Sequence, residues 1–264
     1  LGANTTTSYH TAFGAFSLAA NTSGIGNTAV GSHSLDANTS GSANAAFGRN
    51  VLTASTSGSF NTGLGAFALQ VNTTASNNTA VGYNSLGANT TGTQNTAVGA
   101  NALDANTTAS SNTAVGYDSL TANTTGVQNT ALGQNSLDSN TTGDNNVGLR
   151  KSALGANTTG TNNTATGKEA LVAVTTGTNN TGVGQIAGYG ITTGLSNTII
   201  GARSGVTLAA GSYNTSLGVE NFLTGTGSNN TAVGYQAQRN ASTGNNNTSI
   251  GYRANNSTST GSSN

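Results

Sequence analysis

The residues able to do chemistry are few: seven Lys or Arg, seven Asp or Glu and two His in 264 residues, with no Cys. The histidines, His10 and His33, have no carboxylate or second histidine at the spacing a bound metal requires, so both read as surface residues. Asp36, Asp104 and Asp138 share one position of a sequence repeat, and the nearest two are 138−104 = 34 residues apart, so no carboxylate pair is set up for acid–base work. The many Gly-x-x-Gly stretches follow neither a phosphate-loop nor a dinucleotide pattern and read as turn glycines. From these residues no enzyme activity, no cofactor and no metal is expected.

Two other sets of side chains carry a chemical possibility. Asn21, Asn38, Asn72, Asn89, Asn106, Asn123, Asn140 and Asn157 each open an Asn-Thr-Thr or Asn-Thr-Ser sequon. On an exposed corner they would accept glycans; the other reading gives Asn and Thr turn and ladder chemistry. Tyr83, Tyr117, Tyr235 and Tyr252 recur just after a glycine. They are candidates for lateral contact with a sugar or a partner, or else cover seams between repeats.

What positions them all is a 17-residue period. Asn78, Asn95, Asn112 and Asn129 each open Asn-Thr-Ala-Val/Leu-Gly. Repeats start at 10, 27, 44, 61, 78, 95, 112, 129, 146, 163, 180, 197, 214, 230 and 247, with one residue dropped before Asn230. The whole of 1–264 reads as a single repeat array, cut from a longer polypeptide, with 188–264 degenerate and suited to capping or transition. Numbering the columns of the unit from the opening Asn, column four is apolar everywhere except at Thr166. Column nine is Leu from Leu18 to Leu171 and is then lost at Gly188 and Gly205.

This pattern predicts an all-β, parallel β-solenoid or β-roll in which copies stack as rungs about 4.8 Å apart. Helix is disfavoured because Ala and Leu sit among Asn, Thr and Gly, with turn glycines close by. Two short strands per coil are expected. Columns two and four share one strand face, which places column-two Thr on the inward side with column-four Val. Fifteen coils would give a rod on the order of 70 Å.

Stacking also accounts for the composition. A charged consensus position would pile like charges about 5 Å apart, and only 5% of the residues are charged. Identical amides instead form ladders, the role expected of Asn27, Asn44, Asn61, Asn78, Asn95, Asn112 and Asn129. Arg203 and Glu220 share a column with opposite sign, whereas Lys151 and Lys168 are like charges in adjacent coils. With 33% hydrophobic residues, one coil offers only two sizeable apolar side chains. That favours three chains sharing a core, a homotrimer or helical fibre, over a narrow monomeric solenoid. A net charge of +0 gives no pull toward nucleic acid, and no apolar run is long enough to span a membrane.

The motif Asn-Thr-Ala-Val-Gly at Asn95–Gly99 and Asn112–Gly116 resembles the S-x-A-I-G repeats of trimeric autotransporter adhesin heads, which are left-handed parallel β-rolls assembled as trimers. The longer phrase from Asn78 to Gly92 is closer to repeats of bacterial and phage tail-fibre-like proteins. The resemblance implies an extracellular, cell-surface or virion-surface location, and repetition without any unique chemical cluster points to the structural shaft of a fibre. It leaves two alternatives: an adhesin binding sugars or surfaces along its lateral face, and an ice-binding solenoid.

Overall fold

The structure, a computed structural model, describes residues 9–222, 226–240 and 243–256. The fold is an all-β parallel solenoid, and no helix occurs among the described residues. The chain divides into two compact units, 1–129 and 130–264. The first carries β1 (Thr11–Phe13), β2 (Thr28–Val30), β3 (Ala45–Phe47), β4 (Thr62–Leu64), β5 (Thr79–Val81), β6 (Thr96–Val98) and β7 (Thr113–Val115). The second carries β8 (Thr130–Leu132), β9 (Val147–Leu149), β10 (Thr164–Thr166), β11 (Thr181–Val183), β12 (Thr198–Ile200), β13 (Thr215–Leu217), β14 (Thr231–Val233) and β15 (Thr248–Ile250).

Within each unit every strand pairs in parallel with the next one in sequence, column facing column, as in Thr79↔Thr96 and Thr164↔Thr181. The residue dropped before Asn230 leaves this register intact, since Thr215 pairs with Thr231. The loss is absorbed outside the strands.

There is one strand per coil, not two. The second expected strand is replaced by a turn in which columns seven and nine are left-handed: His33 has φ 56° and Leu35 φ 51°. Column seventeen is left-handed as well, as at Gln94 with φ 61°. For an L-residue this conformation costs roughly 1–2 kcal/mol. It persists because the turn is laddered like a strand: Leu35 N–H donates to Val51 C=O at 3.0 Å, and Leu52 N–H to Ala68 C=O at 3.1 Å. The left-handed φ also turns the column-nine leucine into the interior. Leu35, Leu69 and Leu103 in the first unit, and Leu137 and Leu154 in the second, are fully buried. Each such side chain contributes about 1.5–3 kcal/mol.

Strand parity is the reverse of the expectation. Column-three Ala faces inward, fully buried at Ala80, Ala97, Ala131 and Ala165, while columns two and four face out. Column nine decides this. The space above column three is occupied by the leucine of the preceding coil, so that a Cβ added at Gly182 would stand 2.7 Å from Leu171 Cγ. Only a small residue fits there, and the larger column-four side chain goes outside.

Where column nine loses its leucine the interior stays filled by exchange. Gly188 and Gly205 coincide with Ile191 and Leu208 in column twelve, which carries Asn as far as Asn157 except at Ser55 and then Val174, and Ile199 takes column three. All three aliphatic side chains are buried. A Cβ at Gly205 would be 3.3 Å from both Ile199 Cδ1 and Leu208 Cδ1, so the glycine makes the room its neighbours use. Volume is conserved while its source moves, which close packing favours.

Candidate functional site

Two surfaces of the coil carry the chemistry: an interior built from amides and an outer β-face built from Thr and aliphatic side chains. The interior follows from the column-one Asn. Asn27, Asn44, Asn61, Asn78, Asn95, Asn112 and Asn129 are all buried. From Asn27 to Asn112 each side-chain oxygen accepts the backbone N–H of the Asn one coil on, as in Asn78 N–H to Asn61 Oδ1 at 3.0 Å and Asn95 N–H to Asn78 Oδ1 at 2.9 Å. Over the same residues each Nδ2 donates to a column-fifteen carbonyl, as Asn78 does to Gly92 at 2.8 Å and Asn95 to Ala109 at 2.9 Å. The expected amide ladder is present.

A second ladder runs through the sequon asparagines. Asn21, Asn38, Asn72, Asn89, Asn106, Asn123, Asn140 and Asn157 are fully buried, not on an exposed corner. Asn89 Nδ2 donates to Asn72 Oδ1 at 2.9 Å and to Gly92 C=O at 3.0 Å. Asn106 does the same toward Asn89 and Ala109, at 2.9 and 3.1 Å. The folded coil therefore presents none of these amides as a glycan acceptor. Position within the turn gave the wrong side. The signal that points inward is the Gly or Ala three residues on, whose carbonyl takes bonds from both ladders. Column-thirteen threonines add a hydroxyl ladder at the surface, Thr90 Oγ1 donating to Thr107 C=O at 2.9 Å.

Ladder breaks follow the sequence. Ser55 replaces the column-twelve Asn, and both Ser55 Oγ and Asn38 Oδ1 are buried without a partner. At the other interruption, before Val174, it is Asn157 Oδ1 that lacks one. His10 stands in for the column-one Asn, its Nδ1 accepting the Asn27 N–H at 3.2 Å. His33 stacks on Phe16, with centroids 4.9 Å apart, and sits 3.0 Å from Asp36 Oδ2, a local pair that spacing alone passed over. Among the described residues no three His, Cys, Asp or Glu come together as a metal site. Asp104 accepts from Thr121 Oγ1 at 2.8 Å, and Asp138 lies within 3.3 Å of Asn135 Nδ2.

The outer face repeats two side chains per rung. Column-two Thr and column-four Val, Leu, Ile or Phe both point to solvent, the latter half or more exposed at Phe13, Leu132, Leu217 and Ile250. An apolar stripe this regular is unusual for surface left uncovered. Beside it run the column-six tyrosines, exposed by 58% at Tyr83, 53% at Tyr117, 43% at Tyr235 and 71% at Tyr252. Tyr83 meets Phe67 edge-on at 5.7 Å, and Tyr235 stacks on Tyr252 at 5.8 Å. These rings bridge neighbouring coils and still show a face to solvent. Arg203 and Glu220 form the expected pair at 3.9 Å, and Lys168 meets Glu169 at 3.3 Å.

The fold and its interior define a class, the repetitive parallel β-solenoid with amide ladders. Comparison with protein-family models, with curated proteins and with solved structures finds no match to this chain. No helix among the described residues is long and apolar enough to cross a membrane.

Proposed function

We propose that the chain is the shaft of an extracellular fibre, at a cell or virion surface, assembled from several copies that cover one another's outer β-face, as a trimer in the simplest case. The observation that carries this is the outward direction of column four. A coil already filled by Leu, Ala and Asn has no use for a second apolar stripe unless something packs on it, and two such faces meeting about 10 Å apart make an ordinary sheet-on-sheet core. The ladders supply stiffness along the stack and make coils interchangeable, which suits a spacer.

Sedimentation of the whole chain tests the reading. It should run as a defined multimer, and Val81→Lys with Val115→Lys, two coils apart so that the charges do not stack directly, should yield monomers with unchanged far-ultraviolet circular dichroism, because neither side chain contributes to the interior. A chain monomeric at every concentration overturns it.

One observation favours a second reading. Column-two Thr lies outward beside column-four aliphatic groups, so an in-register array of hydroxyls and methyls is available to an ice surface. Thermal hysteresis in the wild-type chain, lost in the same lysine variant, would support ice binding in place of self-assembly.

A further inference from the structure

Coils of a shaft are interchangeable, so a place where several columns break together marks something a spacer does not need. In the second unit such a place lies between Arg150 and Val206. Arg150 is the one column-five residue from Gly14 to Gly251 that is not glycine, and it adopts φ 93°. Thr166 is the one column-four residue that is not apolar. Arg150, Lys151 and Lys168 are three of the chain's seven cations. Lys151 and Lys168 occupy the same column in adjacent coils, with Glu169 N–H bonded to Lys151 C=O at 3.0 Å. Only Lys168 has a carboxylate beside it, Glu169; Arg150 and Lys151 make no ion pair among the described residues.

Two open clefts lie side by side there. The first, about 410 Å³, is lined by Arg150, Thr166, Lys168, Val183 and Gln185 with two glycines. Its polar side chains are donors: a guanidinium, an ammonium, a hydroxyl and a carboxamide. The second, about 260 Å³, is lined by Glu169, Ile186, Tyr189, Arg203 and Val206. Lys168–Glu169 and Gln185–Ile186 are adjacent in sequence, so each pair places one residue in each cleft. Tyr189 is 42% exposed, and Ile186 and Val206 give its ring apolar company.

One cleft rich in cationic donors beside one with an aromatic ring and charged edges is complementary to a ring with an apolar face and a carboxylate. Guanidinium and ammonium groups bind carboxylate by charge-assisted hydrogen bonds, and concave sites combine apolar walls with a few convergent polar groups. A long polyanion such as nucleic acid is disfavoured by the net charge of +0. At Thr166 the apolar stripe is interrupted, so the first cleft opens where the outer face is least suited to cover by another copy.

We propose that the two clefts form one binding site for a carboxylated sugar, with Arg150 and Lys168 holding the carboxylate and Tyr189 stacking on the pyranose ring. Thr166 and Val183 of the first cleft belong to the outer face, so the site needs that stretch left uncovered by another copy, and its two test variants lie outside columns two and four.

Calorimetric titration of the full chain with oligogalacturonate, with the matching neutral galactose oligomer and with inorganic phosphate tests it. The acidic oligomer should bind at least tenfold more tightly than the neutral one, and phosphate at equal concentration should not displace it. Arg150→Gly and Tyr189→Thr each restore a residue found elsewhere in the same column, so both should fold as wild type, and each should weaken binding tenfold or more. Equal binding of acidic and neutral oligomers, displacement by phosphate, no binding of the acid, or undiminished binding by either variant overturns the proposal.

Discussion

Removing one amide from the column-one ladder should be felt one coil away. Asn95 Oδ1 accepts the N–H of Asn112 at 3.0 Å, and Asn95 Nδ2 donates to the Ala109 carbonyl at 2.9 Å. Asn95→Ala strips the buried Asn112 N–H of its acceptor, at a cost of about 1–3 kcal/mol, and removes a second bond worth about 1 kcal/mol. The Ala109 carbonyl keeps the bond from Asn106 Nδ2 at 3.1 Å, so its loss is partial. The expected total is about 2–4 kcal/mol. In a stack of coupled coils a global melt blurs such a local change, so hydrogen exchange at the Asn112 amide is the better assay. Protection there should fall roughly 30-fold or more, since 1.4 kcal/mol is a factor of ten.

Asn95→Asp sharpens the test. An ionised carboxylate still accepts from Asn112 but faces the Ala109 carbonyl, whereas a protonated one donates to it as the amide does. Burial raises the folded-state pKa of the introduced carboxyl above its unfolded value. Its stabilising contribution is then complete below the unfolded pKa, about 3.9, and is lost as pH rises through the folded one. The variant should regain stability on acidification relative to wild type. An Asn112 amide as protected in Asn95→Ala as in wild type, or an Asp variant whose deficit does not shrink at low pH, refutes the reasoning.

Two further outcomes follow from the same geometry. Ser55→Asn should rejoin the interrupted ladder, giving the orphaned Asn38 Oδ1 a donor and raising stability by about 1–2 kcal/mol in denaturant titration. Gly99→Ala should be poorly tolerated, because φ is 139° and the new Cβ would lie 2.3 Å from the Gly116 carbonyl oxygen. Gly92→Ala should cost much less despite a comparable contact at 2.2 Å, because its φ is not left-handed and Ala75 and Ala109 already occupy that column. Comparable thermal midpoints for the two glycine variants would count against the conformational argument.

The period and the in-register stacking were legible because a 17-residue repeat leaves the chain few other ways to pair Asn95 with Asn112 and Thr96 with Thr113. Parity was not. Apolar Val98 beside small Ala97 reads naturally as Val in and Ala out, and only the three-dimensional placement of Leu86 and Leu103, turned inward by left-handed φ, reverses it. Left-handed leucine has no local signature, since glycine or asparagine is the usual occupant of that conformation. The same blind spot put Asn89 and Asn106 outside. The clefts near Arg150 and Tyr189 were legible only in part. The like-charged Lys151 and Lys168 stood out, whereas Tyr189 became significant once its coil had brought it beside Glu169 and Arg203.

An interior lined by carboxamides has a thermal consequence. Heat capacity rises on unfolding in proportion to newly hydrated apolar surface and falls with polar surface. Melting these coils releases Asn amides and methyls where a conventional domain releases oil-like bulk. The increment per residue should therefore lie below the usual 12–15 cal/mol/K, roughly. The free-energy curve against temperature is then shallow, and the protein keeps much the same margin in the cold as in warmth.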